Sequence, residues 1–144
     1  MIKAIMLIAI VAVGAKIGWD LSLNFTKRVR MIEQLQNDIM YIENEISFKR
    51  TQLIDILNGL TSNVSNVFKG QVIAPLTTED CNIIHEFIAA AGRGDIDYEL
   101  ANIKSAHNRL AINLADAQEL KQTQGKMFRT LGVLGGAFVA ILFV

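Results

Sequence analysis

The sequence has one cysteine, one proline and no excess of charge of either sign. The single cysteine, Cys81, excludes a disulfide framework within the chain. Lysine and arginine together number 14, as do aspartate and glutamate, so the overall charge gives no indication of a nucleic-acid partner or an acidic substrate. No segment alternates apolar and polar residues as a half-buried strand would, and we therefore predict an all-α fold.

Sequence patterns of catalytic and cofactor-binding sites are also missing. Cys81 and His85 lie four residues apart, but a zinc site needs more ligands than these two. The only other histidine, His107, falls within an apolar stripe, where a core histidine is expected. No GxxxxGK[ST] phosphate-binding motif occurs. We predict that the chain is not an enzyme and uses no metal or cofactor.

Apolar residues are abundant, and they are concentrated at the two ends of the sequence. Residues 4–15 contain no polar side chain, and about eighteen residues from Ile2 would form about 27 Å of helix, close to the bilayer core of about 30 Å. Lys3 and Lys16 can reach the headgroups, and Trp19 lies where an interfacial aromatic residue is expected. A cleaved signal peptide, which has a similar pattern, is the alternative.

Residues 131–144 form the second apolar segment. As a helix it reaches only about 21 Å, so residues 127–130 must enter the interface if the segment is to cross the bilayer. Interfacial insertion and a buried core helix are alternatives. A core helix that is apolar on every face needs neighbours all round, which so small a bundle can scarcely supply. We predict a membrane segment at each end.

Small and basic residues mark both apolar segments. Missing side chains allow membrane helices to approach closely, and the candidates for such packing are Gly14, Gly18, Gly132, Gly135 and Gly136. The basic residues expected to determine the topology are Lys27, Arg28, Arg30, Lys126 and Arg129. By the positive-inside rule, the middle of the chain lies in the cytoplasm and both termini lie on the opposite side.

A heptad pattern occupies the first half of the middle region. One heptad position holds Phe25, Ile32, Ile39, Ile46, Leu53 and Leu60. The other holds Leu35, Ile42 and Ile56, and is interrupted by Lys49. This lapse predicts a break at Lys49 and Arg50, followed by a second helix over residues 52–57 with Thr51 as its N-cap.

The second half of the middle region predicts a short helix and a long one. Residues 61–70 indicate a loop or a weak helix, and Thr78 is a candidate cap for a helix from Glu79 to Gly92. Asp95 is expected to cap the long helix, whose acidic start suits the helix dipole and which a glycine at 125 could interrupt. Its predicted apolar stripe comprises Ile96, Leu100, Ile103, His107, Leu110, Leu114 and Ala117.

Two long helices that start and finish at the membrane can pack antiparallel. We therefore predict an N-terminal transmembrane helix over residues 1–19, an antiparallel cytoplasmic helical bundle over residues 20–126 and a C-terminal membrane segment over residues 127–144.

Several of these motifs resemble the stage III sporulation protein AB family of endospore-forming bacteria. The similarity is strongest from Phe87 onward and includes Gly94, Asp95 and the pattern K-x-x-R-x-LGVLGG at residues 126–136. Further positions similar to the family are Gly18, Leu35, Ile42, Glu45, Ile46, Thr51 and Leu53. The chain departs from the family in Phe48, where tyrosine is usual, in Gln52, where proline is usual, and in a shorter region 60–79.

The resemblance implies a non-enzymatic platform or scaffold in the channel that joins mother cell and forespore. It also implies a likeness to the platform protein of type II secretion and type IV pilus systems. The location would be the mother-cell membrane around the forespore, and the partners would be an ATPase and other channel proteins of the same operon. The alternative is a membrane-anchored helical tether that oligomerises through its heptads and is unrelated to sporulation. Self-association is compatible with both.

Overall fold

Two long helices and two short ones form the part of the protein that the structure describes. The computed structural model describes residues 1–49 and 52–144, and these ranges contain no strand. The α-helices are α1 (Ile2–Asn44), α2 (Leu53–Gly59), α3 (Thr78–Ala90) and α4 (Ile96–Leu142), with a π-helical turn at Glu45–Lys49 and a 3₁₀ turn at Ser65–Lys69. This architecture confirms the predicted all-α fold with two long apolar helices towards the ends.

The chain divides into two compact units. The hairpin unit consists of residues 1–27 and 117–144, and the bundle unit consists of residues 28–116. Within the hairpin unit, positions further along α1 contact positions earlier in α4, so the two helices are antiparallel. Both α1 and α4 contribute residues to each unit as continuous helices. The possible interruption at Gly125 does not occur, because α4 continues through this position.

The core of the bundle unit is built from the predicted heptads. The heptad residues buried there are Ile32, Leu35, Ile39, Ile42, Ile46, Ile56 and Leu60. From α3 they are joined by Ile83, Ile84 and Phe87. Each such side chain stabilises the fold by about 1.5–3 kcal/mol through removal from water. The heptad pattern thus identified the faces of α1 and α2 that form the core.

The buried face of α4 is shifted from the predicted stripe. Ile103, Leu110 and Ala117 are buried as expected, whereas Ile96 is exposed and His107 is half-buried. Three further residues complete the buried face, namely Glu99, Ala106 and Asn113. Along α4 each of them precedes one of the three buried residues that were predicted. Polar residues can occupy this face because each makes a hydrogen bond inside the bundle.

The connection between α1 and α2 agrees in part with the prediction made from the sequence. The helix predicted over residues 52–57 is present as α2, and Gln52 precedes it in an extended conformation. Lys49 closes the π-helical turn after α1. Arg50 and the proposed cap Thr51 lie outside the described residues. Residues 65–69 form a 3₁₀ turn that packs against α3, where a loop or a weak helix was expected.

The cap of α3 is Thr77, so the expectation that Thr78 caps this helix is wrong. The hydroxyl of Thr77 accepts a hydrogen bond from the Asp80 N–H at 3.2 Å, and the Thr77 N–H donates to Asp80 Oδ2 at 3.0 Å. This reciprocal capping box requires an acceptor side chain three residues after the cap, and Thr78 has Cys81 in that position.

The start of α4 agrees with the sequence. Asp95 Oδ1 accepts a hydrogen bond from the Tyr98 N–H at 3.0 Å, which confirms Asp95 as the cap. Between α3 and α4, Gly92 has a φ of 76°, a left-handed conformation that favours glycine.

Candidate functional site

Glycines allow α1 and α4 to cross closely in the hairpin unit. A Cβ built on Gly14 would lie 2.8 Å from the Gly132 carbonyl oxygen, and one built on Gly132 would lie 2.6 Å from the Gly14 carbonyl oxygen. A Cβ on Gly18 would collide with the Phe128 carbonyl oxygen, and one on Gly136 would lie 3.0 Å from backbone of α1. All these neighbours are backbone atoms. Side chains at these four positions would therefore force the helices apart.

Gly135 is placed differently from the other predicted packing glycines. Among the described residues, no heavy atom lies within 4 Å of a Cβ built on it. The structure thus brings together four of the five predicted glycines at one helix crossing and leaves Gly135 on an open face. Packing of this crossing within a membrane stays a prediction.

A polar and aromatic layer lies beside the glycine crossing. The Arg129 guanidinium carbon is 4.6 Å from the centre of the Trp19 ring, and Arg129 Nε donates to the buried Ser22 hydroxyl at 2.8 Å. Phe25 and Phe128 stack with ring centres 6.0 Å apart. The layer joins α1 to α4 through a cation–π contact, a hydrogen bond and an aromatic pair. Its apolar rings and charged tip suit a boundary between an apolar and an aqueous phase.

The apolar parts of both long helices are exposed. Within the described chain, Ile2–Phe48 and Ile96–Leu142 are long and apolar enough to cross a membrane, by length and composition. Only 6% and 11% of their most apolar windows are buried, whereas a soluble core helix would be mostly buried. The two helices are consistent with a membrane location. A cleaved signal peptide is also a long, apolar helix near the N-terminus, and it remains the alternative for the first segment.

The predicted topology residues fall into two groups. Lys27, Arg30 and Lys126 are exposed to solvent. Arg28 forms an ion pair with Asp80 inside the bundle unit, whereas Arg129 contacts Trp19 and Ser22. The sequence predicted a role in topology for all five residues and gave no sign of the structural contacts of Arg28 and Arg129.

Asp80 is the centre of a buried polar cluster. Arg28 of α1 holds it through two hydrogen bonds, from Nε to Oδ2 at 2.8 Å and from Nη2 to Oδ1 at 3.1 Å. Asn113 of α4 donates to Oδ1 at 2.8 Å. Because Asp80 is also the third residue of the α3 capping box, this one fully buried carboxylate joins three helices.

The Asp80 cluster stays ionised at neutral pH. Burial by itself would raise the pKa of Asp80, but hydrogen bonds from Arg28, Thr77 and Asn113 outweigh it and hold that pKa below its usual range. The hydrogen bond to Asp80 in turn raises the pKa of Arg28. Removing one partner of a buried ion pair costs about 3–5 kcal/mol, since a charge is left buried and unpaired. The cluster is therefore a structural centre of the bundle unit. The only sequence signal for it was the T-x-x-D spacing of Thr77 and Asp80.

A second buried carboxylate, Asp38, lies further along α1. It accepts hydrogen bonds from the Ser62 hydroxyl and from the Gln34 side-chain amide, the latter at 3.2 Å. This cluster connects α1 to the segment that follows α2. It too was missed, because its main partner is 24 residues away.

Cys81 and His85 lie on α3, and burial distinguishes the two side chains. Cys81 is fully buried on α3, and burial raises the pKa of its thiol, which lowers its reactivity. In the part of the chain that the structure describes, no group of three possible metal ligands occurs. His107 is half-buried on α4, beside the core rather than within it.

Comparison with known proteins identifies the family. The sequence model of stage III sporulation protein AB matches residues 3–72 and 65–144, and so covers almost the whole chain in two segments. No curated protein matches the chain. No solved structure matches it either. The resemblance inferred from the sequence motifs is confirmed, and the chain belongs to the stage III sporulation protein AB family of sporulation proteins.

Proposed function

We propose that the protein is a non-enzymatic membrane platform in the channel complex between mother cell and forespore, where it couples a cytoplasmic ATPase to the channel. The observation that carries this proposal is the continuity of α1 and α4. Each helix is apolar and exposed in the hairpin unit and belongs to a packed helical bundle at residues 28–116. A platform needs such a connection between a membrane anchor and a partner-binding domain.

The polar and aromatic layer supports the proposed membrane boundaries. Trp19 and Arg129 stand at the limits of the segments 1–19 and 127–144, which we assign to the mother-cell membrane around the forespore. Residues 20–126 would then lie in the cytoplasm. The exposed cations Lys27, Arg30 and Lys126 would face anionic headgroups on that side.

Membrane orientation can be tested with reporter enzymes fused to the two termini, which report the compartment without any added protease. Alkaline phosphatase, which is active only outside the cytoplasm, should be active at both termini, whereas β-galactosidase, which is active only in the cytoplasm, should be inactive at both. An active β-galactosidase fusion at either terminus would contradict the proposed topology.

The oligomerising tether is less well supported than the platform. That alternative needs free heptad faces, but Ile32, Leu35 and Ile39 are fully buried within a single chain. Oligomerisation through these residues would require the bundle to open. Any self-association has to use other surfaces.

Coupling is tested with the full-length protein in lipid nanodiscs and the purified ATPase of the same operon. We expect saturable binding, measured by biolayer interferometry, that is absent from empty nanodiscs. Lack of binding would contradict the coupling. Normal engulfment and spore formation in a deletion strain would contradict the role in sporulation and favour the tether.

A further inference from the structure

Two contacts fix the side chain of Arg129 in the polar and aromatic layer of the hairpin unit. Its guanidinium carbon lies 4.6 Å from the centre of the Trp19 ring, and its Nε donates to the buried Ser22 hydroxyl at 2.8 Å. The N–H groups of Nη1 and Nη2 have no hydrogen-bond or ion-pair partner among the described residues. The terminal edge of the guanidinium is therefore held in place while its donors are free to bind an anion.

Two simpler roles of Arg129 do not explain this arrangement. A topology signal needs only a positive charge, which the exposed Lys27 has without any fixed position. A link between α1 and α4 needs only the contacts with Trp19 and Ser22, which leave the terminal amino groups unused. An arginine fork binds phosphate through two parallel hydrogen bonds, and a fork that is already fixed loses less side-chain freedom on binding. The geometry therefore favours a phosphate group as the ligand.

A shallow groove on α4 begins at Arg129 and continues along apolar side chains. This Arg129 groove has a volume of about 340 Å³ and is lined by Arg129, Thr130, Val133 and Leu134. Val133 and Leu134 are exposed, and they extend the groove by about 7 Å along the helix into the proposed membrane segment 127–144. A free phosphate would leave this apolar part empty. The complementary ligand has a phosphate at one end and an apolar chain at the other, as a phospholipid does.

The charges near the Arg129 groove favour a lipid with a net negative charge. Lys126 lies about one helical turn before Arg129 and is exposed, and it has no ion-pair partner among the described residues. The acidic residues of the hairpin unit are Asp20 and Glu119. Asp20 lines a separate groove on α1 together with Lys27, and Glu119 lies about 15 Å before Arg129 along α4. A zwitterionic headgroup would bring its own cation close to Lys126 and be repelled.

We propose that the Arg129 groove binds one anionic phospholipid, whose phosphate is held by Arg129 and Lys126 and whose acyl chain lies along Val133 and Leu134. This inference rests on the proposed function, because it takes residues 127–144 to lie in the membrane. It adds a ligand site at the membrane boundary, and it gives the K-x-x-R motif at residues 126–129 a binding role beyond topology.

Trp19 reports which lipid occupies the groove, because the Arg129 guanidinium lies over its ring and the chain has no other tryptophan. The full-length protein is reconstituted in vesicles of phosphatidylglycerol and phosphatidylcholine, in which one lipid or the other carries acyl chains brominated close to the headgroup. Bromine quenches tryptophan fluorescence at short range. The ratio of the two quenching curves therefore gives the preference for the anionic lipid at this position.

The variants separate a specific site from general attraction between cations and anionic lipids. Lys126→Gln removes one charge at the groove, and Lys121→Gln is its matched control at another exposed site on α4. Arg129→Lys keeps the charge but removes the planar fork. We expect the wild type to prefer phosphatidylglycerol about fivefold or more, Lys126→Gln and Arg129→Lys to lower this preference about threefold or more, and Lys121→Gln to change it less than about twofold.

Lys126→Gln keeps the test valid even if Arg129→Lys loosens the layer, since the Lys126 side chain makes no contact with Trp19 or Ser22. An unchanged preference in Lys126→Gln, or equal losses in Lys126→Gln and Lys121→Gln, would overturn the site. Inorganic phosphate added at constant ionic strength should leave the preference unchanged. Displacement of the lipid by phosphate would show a site for a soluble anion and would also overturn the proposal.

The same measurement separates this inference from the proposed function. Equal quenching of wild-type Trp19 by the two lipids would refute the lipid site while leaving the membrane boundary in place. No quenching by either lipid would place Trp19 outside the bilayer, so that the proposed boundary would fail and the lipid site with it.

Discussion

Replacing Gly132 with alanine should weaken the association of α1 and α4 in the hairpin unit. The new Cβ would lie 2.6 Å from the Gly14 carbonyl oxygen and 2.9 Å from the Gly18 Cα. These are backbone atoms, so no side-chain rotation can relieve the overlap. Ordinary contact begins at 3.4 Å, and the helices must therefore separate by about 0.8 Å at this point.

The expected loss follows from this displacement. A gap of about 0.5–1 Å removes about a quarter to a half of the attraction between two atoms, which is about 0.1–0.2 kcal/mol for each pair. Over a few tens of contacts the loss is on the order of 1 kcal/mol, and residual overlap adds to it. We expect the free energy of separating the helices to fall by about 1–3 kcal/mol, the range found for overpacked sites.

Trp19, the only tryptophan, is a natural reporter of this separation because it contacts Arg129 across the two helices. Its fluorescence would be followed while SDS is titrated into mixed micelles of the full-length protein. Gly135→Ala is the matched control, since it makes the same change in the same helix at an open position. We expect it to stay within about 0.5 kcal/mol of the wild type. Equal transition midpoints for Gly132→Ala and Gly135→Ala would refute the reasoning.

Three further predictions concern the bundle unit. Arg28→Ala should lower the free energy of unfolding by about 3 kcal/mol or more because it leaves Asp80 buried without its cation, whereas Arg30→Ala, at an exposed site, should change it by less than about 0.5 kcal/mol. Urea denaturation compares the two, and equal losses would argue against the ion pair. Because the folded pKa of Asp80 lies below its unfolded value of about 3.9, its contribution to stability is complete above that value and is lost as the pH falls through the folded pKa. Stability measured from neutral to acidic pH should therefore fall less steeply in Asp80→Asn than in the wild type, and parallel curves would count against this linkage. Cys81 should react with a thiol reagent far more slowly in the folded protein than in urea, because it is buried and its pKa is raised; similar rates would show that the core is open.

The helices that form the core could be predicted because their signals are local and repeated. The heptads from Ile32 to Leu60 repeat every seven residues, and the buried apolar residues of α1 from Ile32 onward follow this period. The close glycines were recognisable for a similar reason, since their spacing places them on one helix face. Local patterns do not show which face meets which helix, and Gly135 was therefore included with its neighbours.

The polar clusters could not be predicted because their partners are distant in the sequence. Arg28 and Asp80 are 52 residues apart, and only the folded bundle brings them together. The position of Arg28 beside a membrane segment already accounted for its charge, so the sequence gave no reason to look for an ion pair with Asp80. Glu99 and Asn113 were missed because an apolar stripe cannot reveal a polar residue that is buried with a partner.

The carboxylate of Asp80 has a consequence for the axial alignment of the helices. An apolar heptad seam looks nearly the same after a slide of seven residues, which is about 10.5 Å along a helix. Such a slide of α4 within the bundle would still bring apolar side chains together, but it would carry Asn113 out of reach of Asp80. The heptads therefore supply much of the stability without choosing one register, and the buried charge excludes the shifted ones.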